Sequence, residues 1–146
     1  MIKEEIQKEM ILALKSKKGT ELKVLRFVLS QINYEEINKQ KKLTDEEVIS
    51  VLQKEVKKRK EAIEMFKKGK REDLVIDEEK QIDKIKQYLP KELDQKELEI
   101  VIAEVISSSA DTSNVGKIIG LVMARLRGRA DGANVAQLVK QKLNIP

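Results

Sequence analysis

The stretch GKIIGLVMARLRGRADG, residues 116–132, indicates most clearly how this chain folds. Its middle part, residues 121–127, has the apolar spacing of a helix. Gly128 follows at the position where helices commonly end on a left-handed glycine, and Asp131 stands where the next helix would take its N-cap residue. The stretch therefore predicts two helices joined by a tight turn.

The same stretch is rich in glycine and arginine, with four of the six glycines and three of the six arginines of the chain. Gly116 and Gly120 fall on one helix face, where the absence of side chains predicts close packing against a neighbouring helix. Approach of a phosphate to the backbone is the functional alternative. Because the planar guanidinium group suits phosphate, Arg125, Arg127 and Arg129 make this stretch a candidate anion site.

A nucleotide-binding loop of the P-loop type is excluded at Gly116-Lys117. Such a loop needs a glycine five residues earlier and Ser or Thr after the lysine. Asp111 and Ile118 occupy these two positions.

The composition favours an all-α protein with an aliphatic core, since 40% of residues are apolar, 3% aromatic and 38% charged. Cysteine and histidine are both absent, which excludes disulfides, thiol nucleophiles, Cys/His zinc sites and histidine general bases. The N-terminus is charged and no apolar run reaches membrane-spanning length. We therefore expect a cytoplasmic protein with no membrane partner, no catalytic residue, no metal and no cofactor.

The net charge of +5 hides an uneven distribution. Residues 54–71 carry nine Lys or Arg against three Glu, and residues 117–142 carry six basic residues against one acid. Residues 92–111, in contrast, carry six acids against one lysine. Basic segments of this size favour a polyanionic partner.

Apolar residues recur at helical spacing along the whole chain, and no segment alternates with the period of a strand. The predicted helices span residues 2–17, 21–38, 44–68, 71–88, 95–107, 115–127 and 132–143. The predicted core stripes contain Ile2, Ile6, Met10, Ala13 and Leu14, then Leu22, Leu25, Leu29, Ile32 and Ile37, then Val48, Leu52, Val56, Ile63 and Phe66, then Leu74, Ile82 and Ile85, then Leu98, Val101, Ile102 and Val105.

Local residue types predict where several of these helices begin and end. Gly19 is expected to end the first helix and Thr20 to cap the second, while Gly69 is expected to end the third. The segments 44–47 and 94–97 have the capping-box pattern, a capping side chain followed three residues later by Glu.

Pro90 marks the expected subdomain boundary, because the residue before a proline avoids helical geometry. The sequence therefore predicts a four-helix N-terminal subdomain, residues 1–90, and a three-helix C-terminal subdomain, residues 91–146.

Several short motifs, in this order and spacing, together resemble those of the YqeY family, stand-alone relatives of the tail domain of GatB, a subunit of tRNA-dependent amidotransferase. The motifs are Leu25-Arg26, Lys58-Arg59-Lys60-Glu61-Ala62-Ile63, Arg71-Glu72-Asp73-Leu74, Tyr88-Leu89-Pro90, Gly116-Lys117-Ile118-Ile119-Gly120 and Gly128-Arg129-Ala130-Asp131-Gly132. The resemblance implies an all-helical fold with a larger N-terminal and a smaller C-terminal part. In GatB, and in a glutaminyl-tRNA synthetase with a similar appended domain, the tail helps to hold tRNA, whereas the chemistry of GatB belongs to another domain.

We therefore expect an accessory protein that binds tRNA or another structured RNA and has no chemistry of its own. A protein related to aminoacyl-tRNA or to amidotransferase is a further partner that the resemblance suggests. The shortage of aromatic residues for stacking bases favours recognition of a folded RNA by its shape and backbone. The candidate RNA-binding residues are Lys117, Arg125, Arg127, Arg129, Lys140, Lys57, Lys58, Arg59 and Lys60.

Two other functions stay open at this point. One is a component of glutamine-dependent amidotransferase activity, a carbon–nitrogen ligase reaction with glutamine as amide donor. The other is a protein-interaction adaptor that uses the acidic segment 92–111.

Overall fold

Seven α-helices and no strand make up the computed structural model, which describes residues 1–145. This result confirms the prediction of an all-α fold. The helices are α1 (Ile2–Lys15), α2 (Gly19–Lys39), α3 (Asp45–Lys68), α4 (Glu72–Lys86), α5 (Gln95–Ser108), α6 (Val115–Leu126) and α7 (Gly132–Lys142). They form two compact units, Met1–Leu89 with α1–α4 and a second that starts at Pro90 and contains α5–α7.

Aliphatic side chains alone fill the buried core of the first unit, as the composition predicted. Phe66 and Tyr88 are only partly buried at its edge. Each helix contributes one apolar stripe, since the opposite face of each carries charged residues. The buried residues are Ile6, Ala13, Val24, Leu25, Val28, Leu29, Ile32, Val48, Leu52, Val56, Ile63, Val75, Ile82 and Ile85.

The connection between α2 and α3 is held by the carboxylates of two glutamates. Thr44 Oγ1 accepts a hydrogen bond from the Glu47 backbone N at 3.2 Å, and Glu47 Oε1 accepts from the Thr44 backbone N at 3.1 Å. The predicted capping box is thus confirmed. Glu47 also accepts from Lys39 Nζ at 2.7 Å, and Glu36 accepts from the Leu43 backbone N at 2.9 Å. These bonds fasten the end of α2 to the start of α3.

Two predictions about the first interhelical turn are wrong. α1 already ends at Lys15, and Lys17 makes the turn with a left-handed φ of 57°. Gly19 is therefore the first residue of α2 and not the residue that ends α1. Lys18 takes the N-cap position in place of Thr20, and its side chain makes no capping hydrogen bond.

Two predicted core residues are exposed, Leu14 at 53% and Ile37 at 75%. Leu14 is turned by about 100° around α1 from the buried Ala13. This rotation places it beyond the edge of the apolar stripe. Ile37 lies about 140° around α2 from the buried Ile32. The other residues of the predicted stripes are buried or partly buried.

Three other predicted helix ends are confirmed. Gly69 is the C-cap residue of α3, and the Asp94 carboxylate caps α5 by accepting from the Glu97 backbone N at 2.8 Å, which is one of the two hydrogen bonds of a capping box. Gly128 follows α6 in the left-handed conformation, with a φ of 83°. Asp131 occupies the N-cap position of α7, but its side chain makes no capping hydrogen bond.

The second unit has its own aliphatic core between α5, α6 and α7. The buried core residues are Leu98, Ile102, Val105, Ile118, Val122, Leu126, Ala130, Val135, Leu138 and Val139.

No helix within residues 1–145 combines the length and the apolar character needed to span a bilayer.

The Glu47 cap should make the stability of the fold sensitive to acid. The hydrogen bond from Lys39, and then that from Thr44, lower the pKa of Glu47 from 4.5 to about 2. Between these two values the unfolded chain takes up a proton that the folded chain does not bind, so the stabilisation is complete above about pH 4.5 and disappears as the pH falls towards 2.

Glu47→Gln should therefore reduce the fall in the thermal unfolding midpoint across this pH range. Glu61→Gln on the exposed face of the same helix is the control and should keep the slope of the parent protein. An unchanged slope in Glu47→Gln would show that the cap does not hold this carboxylate in its charged form.

Candidate nucleic-acid interface

The candidate cations of the second unit differ in whether groups of the chain itself bind them. Arg125 Nη2 lies 2.7 Å from Glu104 Oε2 on α5, and both side chains are about half exposed. Lys117 lies in the first turn of α6, where its backbone N donates to Asn114 Oδ1 at 3.1 Å. Its own side chain stays exposed.

Arg129 stabilises the turn between α6 and α7 through two hydrogen bonds. Its Nε donates to the carbonyl oxygen of Lys91 at 3.1 Å, and its own carbonyl accepts from the Leu93 backbone N at 2.9 Å. These two bonds tie the turn to the segment that precedes α5. Arg129 therefore has a structural role in addition to its charge.

Arg127 and Lys140 remain exposed cations of the second unit. Arg127 is the C-cap residue of α6 and adopts a left-handed φ of 47°. Arg127 and Gly128 are thus two consecutive left-handed residues that follow the end of α6.

The interpretation of Gly116 and Gly120 as close-packing residues is wrong. A Cβ atom built on Gly120 would meet no atom within 4 Å among the described residues, and one on Gly116 would meet only the Asn114 side-chain oxygen at 3.5 Å. Both glycines lie on the exposed side of α6. No neighbouring helix of the described chain requires them.

The exposed lysines of α3 share the side of the helix that faces away from the core. At about 100° per residue they spread over roughly 180° around the helix axis, and Glu61 and Glu64 lie among them. Lys67 is 3.9 Å from Glu64, whereas Lys58 is 3.5 Å from the buried Glu55. We call this surface the lysine face; it consists of Lys54, Lys57, Lys58, Lys60, Lys67 and Lys68.

Two arginines of the basic segment 54–71 bind carboxylates of the chain itself. Arg59 points inward with 12% of its side chain exposed, and its Nη1 is 3.2 Å from Glu78 Oε2. Arg71 donates to both carboxylate oxygens of Asp73, at 3.2 and 3.0 Å, and this guanidinium lowers the pKa of the Asp73 carboxyl. The outward positive charge of the segment therefore comes mainly from its lysines.

Sequence reasoning missed the surroundings of Arg59. The guanidinium carbon of Arg59 lies 5.3 Å from the centre of the Phe27 ring. Arg59 and Phe27 line a cleft between α2, α3 and α4, which the buried Glu55 and Gln81 also line. A signal was present in the sequence, because Arg59 lies seven residues after Leu52 and so falls on the apolar stripe of α3. A charged residue at such a position indicates a buried partner.

Among residues 1–145, no group of three or more acidic side chains is placed to hold a metal ion.

Comparison with known proteins gives a family match over nearly the whole chain. The family model described as "Yqey-like protein" matches residues 3–143. An uncharacterized protein of Schizosaccharomyces pombe is 40% identical over 85 residues, which cover 58% of this chain and 69% of the yeast protein.

A second relative comes from Pyrenophora tritici-repentis and bears the name "Altered inheritance of mitochondria protein 41, mitochondrial". It is 27% identical over 140 residues, which cover 93% of this chain and 77% of the relative. Because the name places that protein in mitochondria, the cytoplasmic location of this chain stays a prediction.

The role of Arg129 can be separated from its charge. Arg129→Ala should destabilise the second unit by about 1 kcal/mol, the net contribution of a typical hydrogen bond. Arg125→Ala should change stability by less than about 0.5 kcal/mol, because an exposed ion pair contributes little. Faster amide hydrogen exchange at Leu93 and in the α6–α7 turn would report the first effect.

Arg129→Lys serves as the charge-preserving control. It keeps a cation but removes the planar Nε donor, so its exchange rates should follow those of Arg129→Ala. Parent-like exchange in both Arg129 variants would mean that the bond to Lys91 does not hold the turn.

Proposed function

The chain belongs to the YqeY family, and we propose that it binds structured RNA of the tRNA type, chiefly through the lysine face of α3. The observation that carries this proposal is the exposure of six lysines along one helix, with only two of them within ion-pair distance of a carboxylate of the described chain. Lysines that neutralise phosphates release counterions, and this release drives affinity without reading base sequence.

The dimensions of the lysine face suit several phosphates of one RNA. Lys57 and Lys68 are eleven residues apart, which corresponds to about 16 Å along the helix axis. The lysines carry their charges on long flexible side chains, which suits backbone contact better than base-specific readout. The resemblance to the GatB tail supports the same class of partner.

The second unit supplies a weaker basic surface. Lys117, Arg127 and Lys140 are exposed there, whereas Arg125 and Arg129 bind acceptors of the chain itself. An exposed pair such as Arg125 with Glu104 is weak, so a phosphate can compete for the arginine. We assign this surface a supporting role.

The test removes three charges from each surface in turn. Lys57→Gln, Lys60→Gln and Lys68→Gln together should lower the slope of log affinity against log salt by about one unit for each phosphate that the variant no longer neutralises, up to about three. Lys117→Gln, Arg127→Gln and Lys140→Gln form the matched variant and should change the slope less. Both should be measured with tRNAs of different sequence, which should be affected by similar factors.

Circular dichroism of the two triple variants should match that of the parent, since exposed substitutions rarely alter a fold. A larger decrease of the slope in the second variant would move the RNA site to the second unit. Parent-like affinity and slope in both variants would overturn the proposal.

A further inference from the structure

A cleft of about 760 Å³ opens between α2, α3 and α4 of the first unit. This volume lies within the range of about 300–1,000 Å³ that small-molecule sites occupy. Lys58 borders both the cleft and the lysine face, so a ligand bound to one lies beside the other.

Two of the residues that line the cleft are both polar and buried. In the described part of the chain, Glu55 and Gln81 are the two polar residues that are buried, at 3% and 2% exposure, and both line this cleft. A buried carboxylate is costly unless it is paired. Glu55 has only Lys58 Nζ at 3.5 Å as an ion-pair partner among residues 1–145, although a carboxylate has about four acceptor sites.

Arg59 and Phe27 form one wall of the cleft. Arg59 stacks on the Phe27 ring and contacts Glu78, but its buried Nε has no hydrogen-bond partner within residues 1–145. Phe27 is 43% exposed despite being aromatic. An aromatic ring held by a guanidinium offers a flat surface on which a base can stack.

The mouth of the cleft is cationic. Lys23, Arg26 and Lys58 are exposed there. None of the ion pairs among residues 1–145 engages Lys23 or Arg26. These two cations are therefore available to an anionic group at the entrance.

We infer that this cleft binds a nucleotide, with its base against Phe27, its base N–H donors directed to Glu55 and its phosphate among Lys23, Arg26 and Lys58. The aromatic ring, the buried carboxylate and the cationic entrance are needed together. A bare anion would meet the negative charges of Glu55 and Glu78, and an apolar ligand would leave the buried Glu55 carboxylate with no donor beyond Lys58. Guanine suits the site best, because its N1–H and its N2 amino group form two adjacent donors for one carboxylate.

The ligand can be a free mononucleotide or an unpaired nucleotide of a bound RNA; the second source rests on the proposed function. The direct test is an NMR titration of the isotope-labelled chain with GMP, guanosine and inorganic phosphate. GMP should shift the backbone amides of Phe27, Glu55 and Arg59, guanosine should do so more weakly, and inorganic phosphate should leave them unshifted.

Three substitutions separate the parts of the site. Glu55→Gln and Phe27→Leu should each weaken GMP and guanosine by about tenfold, the effect of about 1.4 kcal/mol. Arg26→Gln should weaken GMP by a similar factor and leave guanosine unchanged, because it removes only a phosphate contact. Glu61→Gln, on the same helix as Glu55 but outside the cleft, should bind GMP like the parent.

The same variants identify the source of the nucleotide. If Glu55→Gln also weakens tRNA binding without changing the salt slope, the cleft holds an unpaired nucleotide of the RNA. If it weakens GMP alone, the ligand is a free mononucleotide.

The inference and the proposed function can fail separately. Absence of cleft shifts with GMP, or shifts that inorganic phosphate reproduces, would overturn the cleft even if the lysine face still binds tRNA. GMP binding that survives in a protein with no affinity for RNA would leave the cleft standing and overturn the RNA function. Parent-like GMP affinity in all three cleft variants would also overturn the assignment.

Discussion

The whole structure depends on burying narrow aliphatic stripes in a chain of which 38% is charged. All the buried apolar residues in the described part of the chain are Ala, Val, Leu or Ile, so the cores are formed by close contact of many medium-sized side chains. Each helix can contribute only one such face, and its charges must point to solvent. Basic surfaces therefore arise from the need for solubility, and contacts with acidic groups of the chain decide which of them remain available for the RNA binding that we propose.

The stripe of α3 is interrupted where the first unit forms its cleft. Arg59 lies between Leu52 and Ile63 on the core side of the helix, and Glu55 lies beside Val56. The bonds of Arg59 to Glu78 and Phe27 keep this charge inside the unit. Local rules of helix patterning commonly fail where a protein has a site to maintain. The two charged residues within this stripe, Arg59 and Glu55, are therefore more informative about function than the larger number of exposed charged residues.

The sequence predicted most features that depend on nearby residues, and it failed where distant contacts decide. The Thr44 and Asp94 caps follow from side chains three residues away from their partners, and both are present. Leu14 and Ile37 were placed in the core by spacing alone, but neighbouring helices do not reach their side of the helix. Gly116 and Gly120 failed for the same reason, because no helix packs over them in the described chain.

The candidate site shows the same division between local and distant information. The sequence identified the basic segments. Whether an arginine in them is bound within the chain depends on acceptors that can lie up to 38 residues away, as in the bond from Arg129 to Lys91. The acceptors of Arg59, Arg71 and Arg125 are likewise groups of the chain itself. Glutamates, an aspartate and a backbone carbonyl thus engage the guanidinium groups, whose several fixed donors suit directed bonds.

The lysines of α3, in contrast, mostly keep their charges in solvent. The contacts with RNA phosphates that we propose for them need no fixed geometry. Such a surface sets affinity and salt dependence but carries little information about base sequence. If the chain binds RNA as proposed, any discrimination among RNAs must come from the shape of the folded RNA or from a site that reads a base directly. Within the first unit, the cleft beside Lys58 is the place where an aromatic ring, a buried carboxylate and a cationic entrance occur together.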